Sequence, residues 1–265
     1  MVNNMNRTRK ILDDLTSGKI TIEDAEIQLK SLSIDSVSDL AVIDVARGER
    51  SGIPEVVYGE SKSAEDIVTI VRKMLDTQNV SLVTRLTQEK LDYLTTIFSD
   101  KEIVTLGKNP MISALVSDSN WVPEKIPGKI AIITAGTSDI PYAKEAEALA
   151  KLVNVDVLSF YDIGVAGIHR LVEPIKKIVS EDVDALIVFA GMEGALPTVV
   201  AALVDIPVIG VPVPTGYGYR GKGETALASM LQSCSPGLAV VNIGNGLGAA
   251  SVASLIAKRA AKKRQ

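Results

Sequence analysis

The sequence has very little cysteine and histidine. Cys234 is the only cysteine and His169 the only histidine in 265 residues. A single cysteine cannot form an intramolecular disulfide, and the chain has no Cys/His cluster of the kind that binds zinc. These absences exclude a disulfide-stabilised scaffold and a structural zinc site.

Long apolar runs and an excess of positive charge are also missing. Each uncharged apolar stretch is shorter than the roughly 18 residues that span a membrane. The N-terminus lacks the apolar core of a secretory signal. The net charge of −4 argues against a nucleic-acid partner. We therefore expect a cytoplasmic protein that acts on a small molecule, with no membrane or nucleic-acid partner.

The chain divides near residues 120–128, where two prolines and a glycine precede a strongly apolar segment. We predict an N-terminal domain over residues 1–120 and a catalytic domain over residues 129–265. Near the N-terminus, helical patterns at about residues 7–16 and 22–32 precede strand-like segments and an amphipathic helix that Ser63 and Asp66 would cap. The first domain is therefore expected to be a smaller α/β unit with a helical start.

The C-terminal half alternates between short apolar strands and helical patterns. Strands are predicted at residues 129–134, 155–161, 184–190, 207–211 and 237–243, and the second of the intervening helices at about residues 169–180. Nearly continuous apolar runs are typical of strands that helices cover on both faces. The pattern predicts an α/β fold with a flavodoxin-like, doubly wound parallel sheet.

Ligands bind such sheets beyond the carboxyl ends of the strands. The loop after the first strand carries Ser138 and Asp139 at a helix start, where they could bind a phosphate or simply cap the helix. The loop after the second carries His169, which could move a proton, and Arg170, which could hold a phosphate. Both loops are candidates for the site.

The third and fourth loops carry further polar groups. Glu193 lies between Gly191 and Gly194, so a possible proton acceptor is flanked by residues that permit close backbone approach. The fourth loop holds Arg220 and Lys222 among four glycines, and it is either a flexible surface loop or an anion-binding cover. It lacks the spacing of a nucleoside-triphosphate P-loop.

Cys234 lies at the end of the fourth helix, just before the fifth strand. That position predicts the edge of the sheet opposite the ligand-binding loops. Periodicity alone therefore favours a structural cysteine over a catalytic one.

Several motifs of the C-terminal half resemble PurE, the aminoimidazole ribonucleotide carboxylase/mutase. They are GTSD at 136–139, HR at 169–170 and PVIGVPV at 207–213. Two motifs depart from the PurE pattern: GMEGALP stands at 191–197 and GVAGIHR at 164–170. PurE also lacks an N-terminal partner domain.

These departures are similar to LarB, the family that makes pyridinium-3,5-biscarboxylic acid mononucleotide for the nickel-pincer nucleotide cofactor. The segment DVARGERSGIPEVVYGESKS at 44–63 resembles the N-terminal signature of LarB. SMLQSCSPG at 229–237 and VVNIGNGLGAA at 240–250 match as well. The resemblance extends from about Asp44 to the C-terminus.

The LarB resemblance implies a carboxylase/hydrolase that converts nicotinic acid adenine dinucleotide and CO2 into the biscarboxylated mononucleotide and AMP. It implies that Cys234 bonds to the pyridine ring, and either Glu193 or His169 would move the proton. The predicted substrate-binding residues are Ser138, Asp139, Arg170, Gly191, Gly194, Arg220 and Lys222, joined by Arg47, Arg50 and Lys62 of the N-terminal domain.

No tightly bound cofactor is expected, although Mg²⁺ could assist hydrolysis of the phosphoanhydride. CO2 or bicarbonate would be the co-substrate, and the PurE relatives imply a homo-octamer. Two other functions stay open. One is carboxylation of aminoimidazole ribonucleotide, which would not need Cys234, and the other is nucleotide binding without catalysis.

Overall fold

The computed structural model describes residues 2–31, 34–37, 41–44, 47–123 and 125–264. Two predicted features lie partly outside these ranges. They are the end of the second predicted helix, at residue 32, and residues 45 and 46 of the LarB-like signature. None of the helices in the described part of the chain is long and apolar enough to cross a membrane.

The chain begins with two helices and a small hairpin. The helices are α1 (Val2–Thr16) and α2 (Ile22–Ser31). Strands β1 (Ile34–Val37) and β2 (Ala41–Asp44) pair antiparallel, and the short helix α3 (Arg47–Ser51) follows.

A four-stranded mixed sheet forms the body of the N-terminal half. Its strands are β3 (Val56–Tyr58), β4 (Val80–Leu86), β5 (Glu102–Leu106) and β6 (Ile112–Ser117), in the order β3-β4-β6-β5. Helices α4 (Ala64–Gln78) and α5 (Gln88–Ile97) pack on it. Ser63 caps α4 as the sequence predicted, since its Oγ accepts the Asp66 N–H at 3.1 Å.

The C-terminal half is a five-stranded, wholly parallel sheet, which confirms the predicted flavodoxin-like fold. Its strands are β7 (Lys129–Thr134), β8 (Asp156–Phe160), β9 (Ala185–Ala190), β10 (Val208–Pro212) and β11 (Leu238–Val240). Their order is β11-β10-β9-β7-β8, so the chain moves outward from β7 in both directions.

Helices cover both faces of this sheet. They are α6 (Ile140–Leu152), α7 (Val172–Ser180), α8 (Ala195–Ala201), α9 (Glu224–Leu231) and α10 (Gly246–Ala261). In β7, Ile130 and Ile132 point to α6 and α10, whereas Ala131 and Ile133 point to α7, α8 and α9. Strands buried on both faces have to be apolar at every position, which explains the continuous runs.

The N-terminal half packs on the α6 and α10 face. Leu82 and Leu115 from its sheet share one apolar core with these helices. Gly128 lies so close to α10 that an added Cβ would be 2.8 Å from the Ala257 carbonyl oxygen. The opposite face, with α7, α8 and α9, is left uncovered by the described part of the N-terminal half.

Arg85 joins the two halves. Its Nε donates to Glu145 Oε1 at 3.0 Å, its Nη2 to the Gly244 carbonyl at 2.6 Å, and its Nη1 to the Tyr58 hydroxyl at 3.0 Å. The nearby carboxylate of Glu145 raises the pKa of Arg85 above its usual range, against the effect of burial. The arginine thereby ties strand β4 to α6 and to the loop after β11.

Candidate active site

A cavity of about 250 Å³ opens at the carboxyl edge of the parallel sheet. Three of the predicted loops form its walls, with residues from 135–139, 164–166 and 190–196, and the fourth contributes Thr215. The strand order explains the position of the cavity. The connection after β7 leads to β8 on one side, whereas the next connection leads to β9 on the other side, so a crevice opens at the ends of β7 and β9.

Asp139 forms a buried wall of this cavity and is only 2% exposed. Its carboxylate accepts the Gly136 N–H at 2.8 Å and the Thr215 hydroxyl at 2.8 Å. Burial raises the pKa of Asp139 above its ordinary value, and the two hydrogen bonds oppose that shift. Asp139 thus both caps its turn and places a partly desolvated carboxyl group at the cavity.

The glycines around Glu193 are required by close packing. A Cβ on Gly191 would lie 2.4 Å from Thr215 Oγ1 and would displace the hydroxyl that Asp139 accepts. Gly194 has a φ of 66°, and its Cβ would lie 2.8 Å from the Ala226 Cα atom. Glu193 is exposed and lines the cavity, where its carboxylate is free to meet a bound ligand.

Arg170 lies beside the same cavity. Its Nη1 forms an ion pair with Asp162 Oδ2 at 3.0 Å, and its guanidinium passes over Gly167, whose Cβ would be 2.7 Å from Nε. Gly164, a cavity residue, would place a Cβ 3.6 Å from Arg170 Nη2. The two glycines of the GVAGIHR motif therefore make room for this arginine.

His169 occupies a different place. It is exposed on the 3₁₀ segment 165–171 and lines a separate, apolar cavity of about 420 Å³ with residues of α7 and Leu203. It is not among the residues that line the cavity around Asp139. Of the two predicted proton carriers, a single chain brings only Glu193 to that cavity.

The predicted basic residues lie outside the cavity wall. Arg220 and Lys222 are exposed on the loop after β10, and Arg220 faces Glu224 at 3.8 Å. The beginning of this loop is close to the site, since a Cβ on Gly216 would be 3.2 Å from the Met192 nitrogen. The loop thus reaches the rim of the cavity, and its two cations extend into solvent.

The N-terminal candidates make contacts within their own half. Arg47 lies 3.6 Å from Glu55, Arg50 pairs with Asp44, and Lys62 donates to the Tyr58 carbonyl at 3.3 Å. Hydrogen bonding from Arg50 lowers the pKa of Asp44. None of the three cations lines the cavity in this chain, so their predicted role in binding stays a prediction.

Cys234 is exposed between α9 and β11, at the amino edge of the sheet. The hydroxyls of Ser233 and Ser235 bond to Thr198 at 3.0 and 2.9 Å and fix this segment against α8. The thiol is accessible, as a nucleophile needs to be, but it lies at the edge of its own sheet opposite the cavity. Within one chain, the predicted nucleophile and the cavity are separate.

Two residues of the arrangement were missed by the sequence reasoning. Thr215 lies at the start of the loop that carries Arg220 and Lys222, and a single hydroxyl in a glycine-rich loop gives no signal of its own. Arg85 gave no signal, because it is separated by 60 residues from Glu145 and interrupts an ordinary strand pattern.

No three histidine, cysteine or carboxylate side chains in the described ranges gather as a metal site. Asp139, the buried carboxylate of the cavity, already accepts two hydrogen bonds. A magnesium ion here would take most of its ligands from substrate phosphates and water.

Two family models match the chain. Residues 129–265 match the AIR carboxylase model, and residues 35–112 match the model of the LarB/PurE-like N-terminal domain. The first match alone covers more than half of the chain.

Curated relatives match both the whole chain and its C-terminal half. An uncharacterized protein of Methanocaldococcus jannaschii is 41% identical over 94% of this chain and 96% of its own length. The N5-carboxyaminoimidazole ribonucleotide mutase of the same organism is 35% identical over 43% of this chain and 68% of its own. The corresponding mutase of Pyrococcus abyssi is 34% identical over 44% of this chain and 64% of its own.

Proposed function

The chain belongs to the LarB-like family with a PurE-like C-terminal half, and we propose that it carboxylates the pyridine ring of nicotinic acid adenine dinucleotide. The products would be pyridinium-3,5-biscarboxylic acid mononucleotide and AMP. The observation that supports this most is the joining of a LarB/PurE-like N-terminal domain to an AIR carboxylase domain in one chain.

The cavity at the carboxyl edge suits a small, uncharged co-substrate beside a ring. Ala135, Ala190 and Gly191 line it, and none of them has a side chain larger than a methyl group. CO2 carries no charge and needs little space, so a small apolar recess next to the ring would hold it. The buried Asp139 and the exposed Glu193 supply carboxylates at the same cavity.

Cys234 would make the ring reactive. A pyridinium ring is poor in electrons and does not attack CO2 by itself. Addition of the Cys234 thiolate forms an S–C bond and converts the ring into a neutral dihydropyridine, whose C5 is an enamine carbon and attacks CO2. Loss of the C5 proton and cleavage of the S–C bond then restore the aromatic ring, now with a second carboxylate.

Glu193 is the better placed proton acceptor for that last step. It is exposed at the cavity between Met192 and Gly194, both of which have positive φ values and form a tight turn. A carboxylate there could take the C5 proton and pass it to solvent. His169 faces another cavity in its own chain, so it could act only at the site of a neighbouring copy.

The separation of Cys234 from the cavity is the reason to propose a homo-oligomer in which one copy supplies the thiol to the site of another. The uncovered helical layer supports this arrangement, because Ile168, Val172 and Leu203 are each more than half exposed. Cys234 belongs to the same layer, since its segment is bonded to Thr198 of α8. A second copy on this layer would cover the apolar residues and complete the site.

Phosphate binding and hydrolysis would follow at the rim. Arg170 lies next to Gly164 of the cavity, and Ser138 is exposed on the turn before α6. Both can donate hydrogen bonds to phosphate oxygens. Attack of water on the phosphoanhydride would release AMP and leave the phosphate on the carboxylated mononucleotide. A bound Mg²⁺ would supply charge neutralisation of these phosphates.

The test is to incubate the purified protein with nicotinic acid adenine dinucleotide and ¹³C-bicarbonate and to analyse the products by mass spectrometry. We expect AMP and a mononucleotide that carries one ¹³C-carboxyl group, formed in equal amounts. AMP without ring carboxylation, or neither product, would contradict the proposal.

A parallel reaction with aminoimidazole ribonucleotide separates the other functions. Carboxylation of that nucleotide, undiminished in a Cys234→Ala variant, would indicate PurE activity instead. Thermal stabilisation by the dinucleotide with no product from either substrate would indicate a binding protein.

A further inference from the structure

A second cavity, of about 320 Å³, lies between the two halves of the chain. Gly107 and Lys108 of the N-terminal half form one wall, and Thr137, Ile140, Pro141 and Lys144 form the other. It is therefore a cleft between domains, a place where ligand sites are common.

This cleft is next to the cavity around Asp139. Gly136, Ser138 and Asp139 line the first cavity, whereas Thr137 and the two residues after Asp139 line the cleft. One turn, residues 136–141, is thus the shared wall of both. A ligand that crosses this turn would have one end in each cavity and its middle at the exposed hydroxyls of Thr137 and Ser138, which can donate to a phosphate.

The walls of the cleft are held by specific contacts. Gly107 has a φ of 86°, and a Cβ there would lie 2.5 Å from the Met111 carbonyl oxygen, so only glycine fits this tight turn. Lys144 Nζ donates to Glu147 at 2.7 Å and to the Tyr161 hydroxyl at 2.7 Å. These bonds hold its aliphatic stem against the cleft, while its charge is balanced by Glu147.

We infer that this interdomain cleft binds the adenylate half of the dinucleotide, an inference that rests on the proposed function. Ile140 and Pro141 offer an apolar surface to a purine ring, and Lys108, exposed at the rim, offers a cation to a phosphate. The first cavity alone, about 250 Å³, is below the roughly 300–1,000 Å³ usual for ligand pockets. It suits one half of a dinucleotide, and the cleft offers space for the other.

The inference gives the N-terminal half a role in specificity. PurE relatives act on a mononucleotide, and the cleft exists only where the second domain meets α6. Recognition of the adenylate half would let binding energy remote from the pyridine ring position that ring for carboxylation.

AMP alone is the probe for the cleft, with affinity measured by isothermal titration calorimetry on the full-length protein. Lys108→Gln should weaken AMP binding severalfold and Lys108→Glu by about tenfold or more, because a charge-assisted hydrogen bond to phosphate is first lost and then replaced by repulsion. Lys263→Glu changes charge equally on an exposed lysine after α10 and should leave AMP affinity unchanged. Equal affinity in wild type and Lys108→Glu would overturn the inference.

Kinetics distinguish failure of the inference from failure of the proposed function. If the cleft binds adenylate, Lys108→Glu raises KM for the dinucleotide and leaves binding of nicotinic acid mononucleotide, which lacks adenylate, unchanged. Normal turnover and KM in Lys108→Glu would refute the cleft while the proposed function stands. Absence of carboxylation in the wild-type protein would refute the function, whereas Lys108-dependent AMP binding would still support the cleft.

Discussion

Removal of Arg85 should destabilise the protein more than removal of any exposed arginine. The register of β4 on β6 shifts between Val83 and Leu86, and Arg85 adopts a φ of 56° at this irregularity. The distorted backbone directs the guanidinium to Glu145, whose side chain is 3% exposed. Arg85→Ala would leave that carboxylate buried without its cation.

The expected loss in the free energy of unfolding follows from the burial of Glu145. Loss of one partner of a buried ion pair costs about 3–5 kcal/mol, whereas exposed ion pairs contribute about 1 kcal/mol or less. The positive φ of Arg85 allows a second comparison, between the alanine and the glycine variants. A left-handed φ costs a non-glycine residue about 1–2 kcal/mol. Arg85→Gly relieves that strain and should therefore be about 1 kcal/mol less destabilising than Arg85→Ala.

Urea unfolding measures the effect, with circular dichroism and the fluorescence of Trp121 as the two signals. Trp121 is the only tryptophan and packs against the core that both halves share, so it reports on their junction. Arg72→Ala, which changes an exposed arginine of the same half, is the matched control and should cost less than about 1 kcal/mol.

The same substitution in a Glu145→Gln variant tests whether the ion pair with Glu145 causes the destabilisation. Without the buried negative charge, Arg85→Ala should be less costly, with a coupling of roughly 1–3 kcal/mol between the two changes. A loss below about 1 kcal/mol for Arg85→Ala, or additive effects in the double variant, would show that the ion pair does not hold the halves together.

Three further predictions concern the site. Cys234→Ser should abolish ring carboxylation but leave calorimetric binding of the dinucleotide intact, and full turnover would exclude the covalent mechanism. Burial raises the pKa of Asp139 above its ordinary 3.8, so between that value and the raised pKa this carboxyl binds more protons in the folded state than in the unfolded state. The wild type should thus lose stability relative to Asp139→Asn as pH rises from about 4 through the raised pKa, and a pH-independent difference in unfolding free energy would contradict this. Gly191→Ala should cost about 1–3 kcal/mol through its clash with the Thr215 hydroxyl, and Thr215→Ala in the same chain should recover part of that loss in thermal unfolding.

The sheet could be predicted because its signal is local. Strands buried on both faces need apolar residues at every position, and the predicted strand at 129–134 coincides with β7. The last strand was predicted to residue 243 but ends at Val240. Beyond it, the Gly244 N–H bonds to the Pro212 carbonyl and the Gly244 carbonyl accepts Arg85, so long-range contacts turn an apolar run into a loop.

The second helix of the C-terminal half also differs from its prediction because of contacts between residues that the sequence pattern does not show. The sequence predicted a helix from His169, whereas the structure has a 3₁₀ segment over 165–171 with Gly167 in a non-helical conformation, followed by α7. The distortion makes room for the Arg170 guanidinium above Gly167. Such a contact depends on where side chains meet in space, which periodicity does not encode.

The packing of the N-terminal half constrains how copies of the chain can assemble. It occupies the α6 and α10 face, so the remaining broad surface of the parallel sheet is the layer of α7, α8 and α9. That layer carries the exposed side chains of Ile168, Val172 and Leu203, together with His169 and Cys234. The N-terminal half thus covers one face of the sheet, and the only thiol of the chain lies on the other. That thiol can reach a cavity only when it is the cavity of a neighbouring copy. In the proposed mechanism, the N-terminal half would contact the adenylate half of the substrate, and a neighbouring copy on the opposite face of the sheet would supply the thiol to the pyridine ring.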